Sequence, residues 1–140
     1  MGTDSPLLLA SVSLLSALHM AYLARRVGLS RLAHKVLPPS VSGPPEFERI
    51  FRAHQNCVEC YPLFLVVMWT CGMFFSEVTA AAGGLVYIVA RQIYFQGYVK
   101  SNESRLPGFY LTLAVFFTMS LLALIGILRG ILHKYFDIHM

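Results

Sequence analysis

Four stretches of apolar residues alternate along the chain with short polar segments, and each approaches the ~20 residues that a helix needs to cross the hydrocarbon core of a bilayer. The first runs from Pro6 to Ala24, with His19 as its only strongly polar residue. The second is apolar from Cys57 to Phe75, and its helical periodicity begins earlier, near Glu46. The third covers Thr79 to Tyr98 and the fourth Phe109 to Leu128. This pattern predicts an all-α fold: one integral membrane four-helix bundle with spans at about 6–24, 47–75, 79–99 and 107–129. Ser5 stands where a side chain caps the first helix, and Pro6 suits its first position. Arg25 and Arg26 follow the first stretch in place of a small-residue cleavage site, so it reads as a retained span and not as a signal peptide.

The connections differ in character. Arg25 to Pro45 reads as a long polar loop closed by Pro38-Pro39 and Gly43-Pro44-Pro45, which forbid helix. Ser76-Glu77-Val78 reads as a tight turn and Lys100 to Pro107 as a short polar loop. Composition agrees with the spans. Apolar residues make up 56% and charged residues 13%, against roughly 25% charged in a soluble domain. Disorder and an ordinary soluble globule are thereby excluded, and three cysteines exclude a closed disulfide framework. The net charge of +4 is unevenly placed. Arg25, Arg26, Arg31, Lys35, Arg49, Arg52, Lys100 and Arg105 gather at one end of the bundle, and only Arg129 and Lys134 lie at the other. The positive-inside rule puts the basic loops in the cytoplasm and both termini in the lumen.

Charges inside a span are costly and mark sites by default. At ~100° per residue, Arg49, Arg52, Asn56 and Glu59 share one helix face, with Glu59 roughly 15 Å deeper than Arg49. Tyr87, Arg91, Tyr94 and Tyr98 form a second face climbing to the same rim. Arginines grip carboxylates bidentately, and a deep carboxylate takes an amine. The combination suits a small zwitterionic ligand meeting a lipid-soluble one along apolar walls. Interhelical salt bridges are the competing account of the same charges. Cys57 and Cys60 form a C-x-x-C pair outside any thioredoxin-like context, so a redox role is not expected. The histidines lack metal-ligand spacing, His19 reads as a satisfied interhelical polar group, and Gly83, Gly84 and Gly97 read as close-packing positions. No metal and no nucleic acid is expected.

The segment Gly43 to Phe64 (GPPEFERIFRAHQNCVECYPLF) and the segment Arg91 to Tyr98 (RQIYFQGY) closely resemble the signatures of the family of membrane-associated proteins in eicosanoid and glutathione metabolism. The resemblance covers nearly the whole chain. It implies a homotrimer with glutathione as co-substrate at the subunit interface, in the membrane of the endoplasmic reticulum or nuclear envelope. It assigns glutathione binding to Arg31, Arg52, His54, Asn56, Glu59, Tyr94 and Tyr98. It also makes Arg105 the residue that holds and activates the sulfur, and Phe117 a contact for the lipid substrate. The implied reaction is attack of a glutathione thiolate on a lipophilic electrophile such as leukotriene A4 or an aryl halide, with peroxidase activity on lipid hydroperoxides beside it. Three positions depart from patterns within the family. His54 stands where related enzymes often carry glutamine. Cys60 and Leu32 stand where members that make leukotriene C4 carry tyrosine and a second arginine, the latter proposed as a proton donor. The alternative is a non-enzymatic lipid-presenting protein of the same family. That branch lacks arginine at the positions of Arg52 and Arg105, so their presence favours the enzyme.

Overall fold

A computed structural model of the chain describes residues 5–136. Four helices follow one another: α1 (Leu7–His34), α2 (Pro45–Phe74), α3 (Glu77–Lys100) and α4 (Leu106–Phe136), with a 3₁₀ turn, Glu103–Arg105, leading into α4. Each is long and apolar enough to cross a membrane, and no strand occurs among the described residues. α2, α3 and α4 pack on one another, and α1 packs against α2 and α3.

α1 stops where the backbone is broken, not where hydropathy falls. α1 continues through the segment 25–34 that reads as loop in the sequence. Nothing there breaks a helix except Gly28, which is tolerated. The end comes at Lys35, whose φ of 56° is left-handed, just before Pro38-Pro39. The loop is therefore ten residues shorter at its N-terminal side than the apolar pattern predicts. The start of α1 differs too. Pro6 is the cap residue, and no side chain caps the helix. Instead the Glu77 carboxylate, at the start of α3, accepts the Leu8 N–H at 2.8 Å. A carboxylate suits the positive end of the helix dipole, and this one ties the first turns of α1 and α3 together. The turn before α3 is shorter than expected: Glu77 and Val78 are already helical, and the Ser76 hydroxyl caps by accepting the Thr79 N–H at 3.2 Å.

Two apolar clusters hold the bundle. One joins Leu9, Val12, Phe64, Met68, Tyr87 and Met119, with the Phe64 and Tyr87 rings stacked at 3.9 Å. The other, nearer the basic end, joins Leu23, Ala53, Cys57, Tyr94 and Phe95. In an apolar medium polar side chains must find partners inside the protein, and α1 supplies three. Ser16 shares a hydrogen bond with Tyr61 at 2.8 Å, Trp69 Nε1 donates to Ser13 Oγ at 2.8 Å, and His19 pairs with Gln92 at 2.8 Å. His19 is thus the interhelical polar group its position predicts.

Candidate functional site

The basic end of the bundle gathers the polar residues of α2, α3 and the turn into α4. The α2 stripe divides by angle. At ~100° per residue, Arg49 and Asn56 lie on one edge and Arg52 and Glu59 on the other. The first edge faces α3: Arg49 Nε donates to the Val99 carbonyl at 3.1 Å, and Asn56 Oδ1 accepts from Arg91 Nη1 at 2.7 Å. The second edge is open. The Arg52 side chain is 62% exposed and meets Glu48 one turn away at 3.5 Å. Glu59 is exposed with no ion pair among the described residues.

From Asn56 a run of contacts leads to the rim. The Arg91 guanidinium lies over the Tyr94 ring at 4.2 Å, the Tyr94 and Tyr98 rings meet edge to face at 5.7 Å, and the Arg105 guanidinium lies 5.5 Å from the Tyr98 ring. Arg105 also donates to the carbonyl of Asn102 within its own 3₁₀ turn. Two glycines permit this closeness. A Cβ on Gly97 would strike the Ser104 carbonyl, and one on Gly108 would strike the Tyr94 backbone. The turn bearing Arg105 and the start of α4 can therefore press against the Tyr94–Tyr98 face of α3.

Arg91 stands on the second polar face of the sequence, but the glutathione-binding roles that the resemblance implies do not include it. It is 1% exposed, and its Nε and Nη2 have no partner. The signal was present, since an arginine in mid-span on the tyrosine face is costly unless used. Its link to Asn56 needed the packing of α2 on α3.

The other positions named from the sequence lie in different surroundings. His54 is half-buried on α2 between Arg52 and Asn56. Arg31 is held apart from the cluster within the chain. It donates to the Ser40 carbonyl at 2.7 Å and lies over Phe47 and Phe51 at 5.3 and 5.8 Å. Phe117, 73% exposed on α4, faces outward, as does Leu32 on α1. Cys60 sits beside the cluster, its Sγ 3.8 Å from Asn56 Oδ1.

The fold defines a four-span integral membrane protein with a cationic, tyrosine-lined cluster at one rim of its bundle. The chain belongs to the MAPEG family, whose pattern it matches over residues 9–125. It is 50% identical to microsomal glutathione S-transferase 2 of Mus musculus over 140 residues, which cover 100% of this chain and 95% of that protein. It is 47% identical to microsomal glutathione S-transferase 2 of Homo sapiens over 134 residues, 96% of this chain and 91% of the relative. Leukotriene C4 synthase of Bos taurus is 47% identical over 129 residues, 92% of this chain and 86% of the synthase.

Proposed function

We propose that this chain is a membrane glutathione transferase that binds glutathione at the basic rim, stabilises its thiolate with Arg105 and joins it to a lipophilic electrophile. The observation that carries this reading is the unbroken run Asn56–Arg91–Tyr94–Tyr98–Arg105 beside the open Arg52–Glu59 edge. Arg52 grips a carboxylate of the tripeptide, and Glu59 takes its amine. The Asn56 carbonyl is occupied by Arg91, so its amide N–H groups are left to donate to an acceptor on the ligand. The tyrosine hydroxyls donate at the rim. A free thiol has a pKa of ~8.5 and is mostly protonated at neutral pH. A guanidinium beside the sulfur favours the thiolate and does not itself deprotonate.

The thiolate attacks carbon, forming the carbon–sulfur bond as an epoxide C–O bond opens or a halide leaves. The thiol proton balances the alkoxide in the epoxide case. No covalent enzyme intermediate is needed. The protein contributes charge stabilisation and proximity. Peroxidase activity on a lipid hydroperoxide uses the same thiolate, with a second glutathione closing the disulfide. The names of the relatives, glutathione transferase and leukotriene C4 synthase, support this choice of co-substrate. A trimer places Arg31 and the open α2 edge against neighbouring copies. The exposed carboxylate of Glu59 deep in a spanning helix supports such a cover, because lipid offers it no partner.

The purified protein in detergent tests the reading. Arg52→Ala and Glu59→Ala are expected to weaken glutathione binding roughly tenfold or more, as loss of a charge-assisted hydrogen bond implies. The wild type is expected to form thioethers with leukotriene A4 or a chlorinated nitrobenzene. Absence of any glutathione-dependent turnover overturns the reading. Unchanged glutathione affinity in both folded variants would remove Arg52 and Glu59 from the binding site.

A further inference from the structure

A shallow cleft with two basic residues in its lining lies on the opposite side of α3 from Tyr94 and Tyr98. It has a volume of about 290 Å³ and is lined by Arg26 of α1 and Gln96, Val99 and Lys100 of α3. Topology explains why basic residues gather at this end, but not why two of them converge on one cleft. Neither cation meets a carboxylate, since the ion pair among the described residues is Arg52–Glu48 on α2. Arg26 is already oriented: its Nη1 donates to Tyr22 Oη at 3.3 Å and its guanidinium lies over Phe95 at 5.2 Å. About two turns deeper, the His19–Gln92 hydrogen bond joins α1 to α3. Below the cleft the flanks are apolar and exposed, with Leu15 and Leu18 on α1 and Val89 and Ile93 on α3.

We propose that this cleft binds the phosphate of an anionic phospholipid headgroup, with the acyl chains along the Leu18 and Ile93 flanks. Three features select this ligand. Two unpaired cations and the Gln96 amide all donate, which fits an acceptor-only group such as phosphate. Their place at the basic end of spanning helices is where headgroup pockets form. The apolar strip running from the cleft into the span suits a lipid better than a free phosphate. The site shares no lining residue with the proposed glutathione site, so it stands or falls separately.

The test uses the full chain in nanodiscs of phosphatidylcholine with a minor fraction of phosphatidylserine, followed by native mass spectrometry of the released protein. Phosphatidylserine is expected to be retained over phosphatidylcholine. The double variant Arg26→Gln/Lys100→Gln is expected to lose at least about tenfold of that preference, since each cation near an anionic lipid matters by several-fold. Arg25→Gln, on the same rim but outside the cleft, is expected to keep it. A photoactivatable phosphatidylserine on the wild type provides a readout independent of variant folding, and its label is expected on α1 near Arg26 or α3 near Gln96–Lys100. Equal retention of both lipids, undiminished preference in the double variant, or a label confined to other helices overturns the proposal. Displacement by millimolar inorganic phosphate would make it a free-phosphate site and overturn the lipid assignment.

Discussion

Arg91 is a buried cation with no carboxylate against it, and its surroundings decide what Asn56 offers a ligand. One nitrogen satisfies Asn56 Oδ1, the guanidinium face rests on Tyr94, and two nitrogens are unpaired. Replacing buried ionic groups with apolar ones of similar size is often neutral or stabilising. Arg91→Met is therefore expected to melt close to the wild-type temperature. Its KM for glutathione should rise roughly three- to tenfold, the worth of one oriented hydrogen bond, because Asn56 loses its anchor. A variant with lowered thermal stability and unchanged KM would mark Arg91 as packing alone. The charge itself was legible in the sequence. Its partner was not, because residues 56 and 91 meet only when α2 and α3 are aligned.

At the scale of the helices, the site depends on how closely α4 and its leading turn approach α3. Gly108 carries that approach: an added Cβ would lie 2.6 Å from the Tyr94 Cα and 2.8 Å from the Ala90 carbonyl. Backbone cannot yield as a side chain does. Gly108→Ala is expected to destabilise by about 1–3 kcal/mol, the usual cost of overpacking, and to weaken glutathione binding by displacing Tyr94. Gly130→Ala on the same helix meets nothing within 4 Å. It should be neutral or gain up to about 1 kcal/mol from helix propensity. Parallel thermal melts of the two variants check the contrast. The spans were readable from apolar runs, because lipid exposure demands them. The ends were less so: hydropathy falls at Arg25, yet α1 runs on to His34 because only Lys35 and the prolines beyond it break the backbone. The cap by Glu77 was invisible for a different reason, since the two residues it joins are 69 positions apart.

For the whole molecule, charge asymmetry carries the expected orientation. α1 and α3 run in the same direction, so the α1–α2 loop and the end of α3 emerge together at the basic end. The positive-inside rule predicts that this end faces the cytoplasm. Lys35 and Lys100 should then react with an impermeant amine reagent applied from the cytoplasmic side, and an epitope placed after residue 136 should be protected. An epitope accessible from the cytoplasm in intact vesicles would invert the bundle and move the site to the lumen.

Ultraviolet absorbance of bound glutathione reports on the thiolate proposed at Arg105. At neutral pH the wild-type complex should show the thiolate band. Lowering of the thiol pKa in the site means that the signal appears at lower pH than for free glutathione. Arg105→Ala should lose the band at neutral pH and recover it only as pH rises toward the free-thiol value of ~8.5. Its pH–rate profile should shift the same way, and glutathione affinity should fall less than turnover, because the proposed grip of Arg52 and Glu59 on the tripeptide is retained. A wild-type thiolate band and pH–rate profile in folded Arg105→Ala would contradict the account.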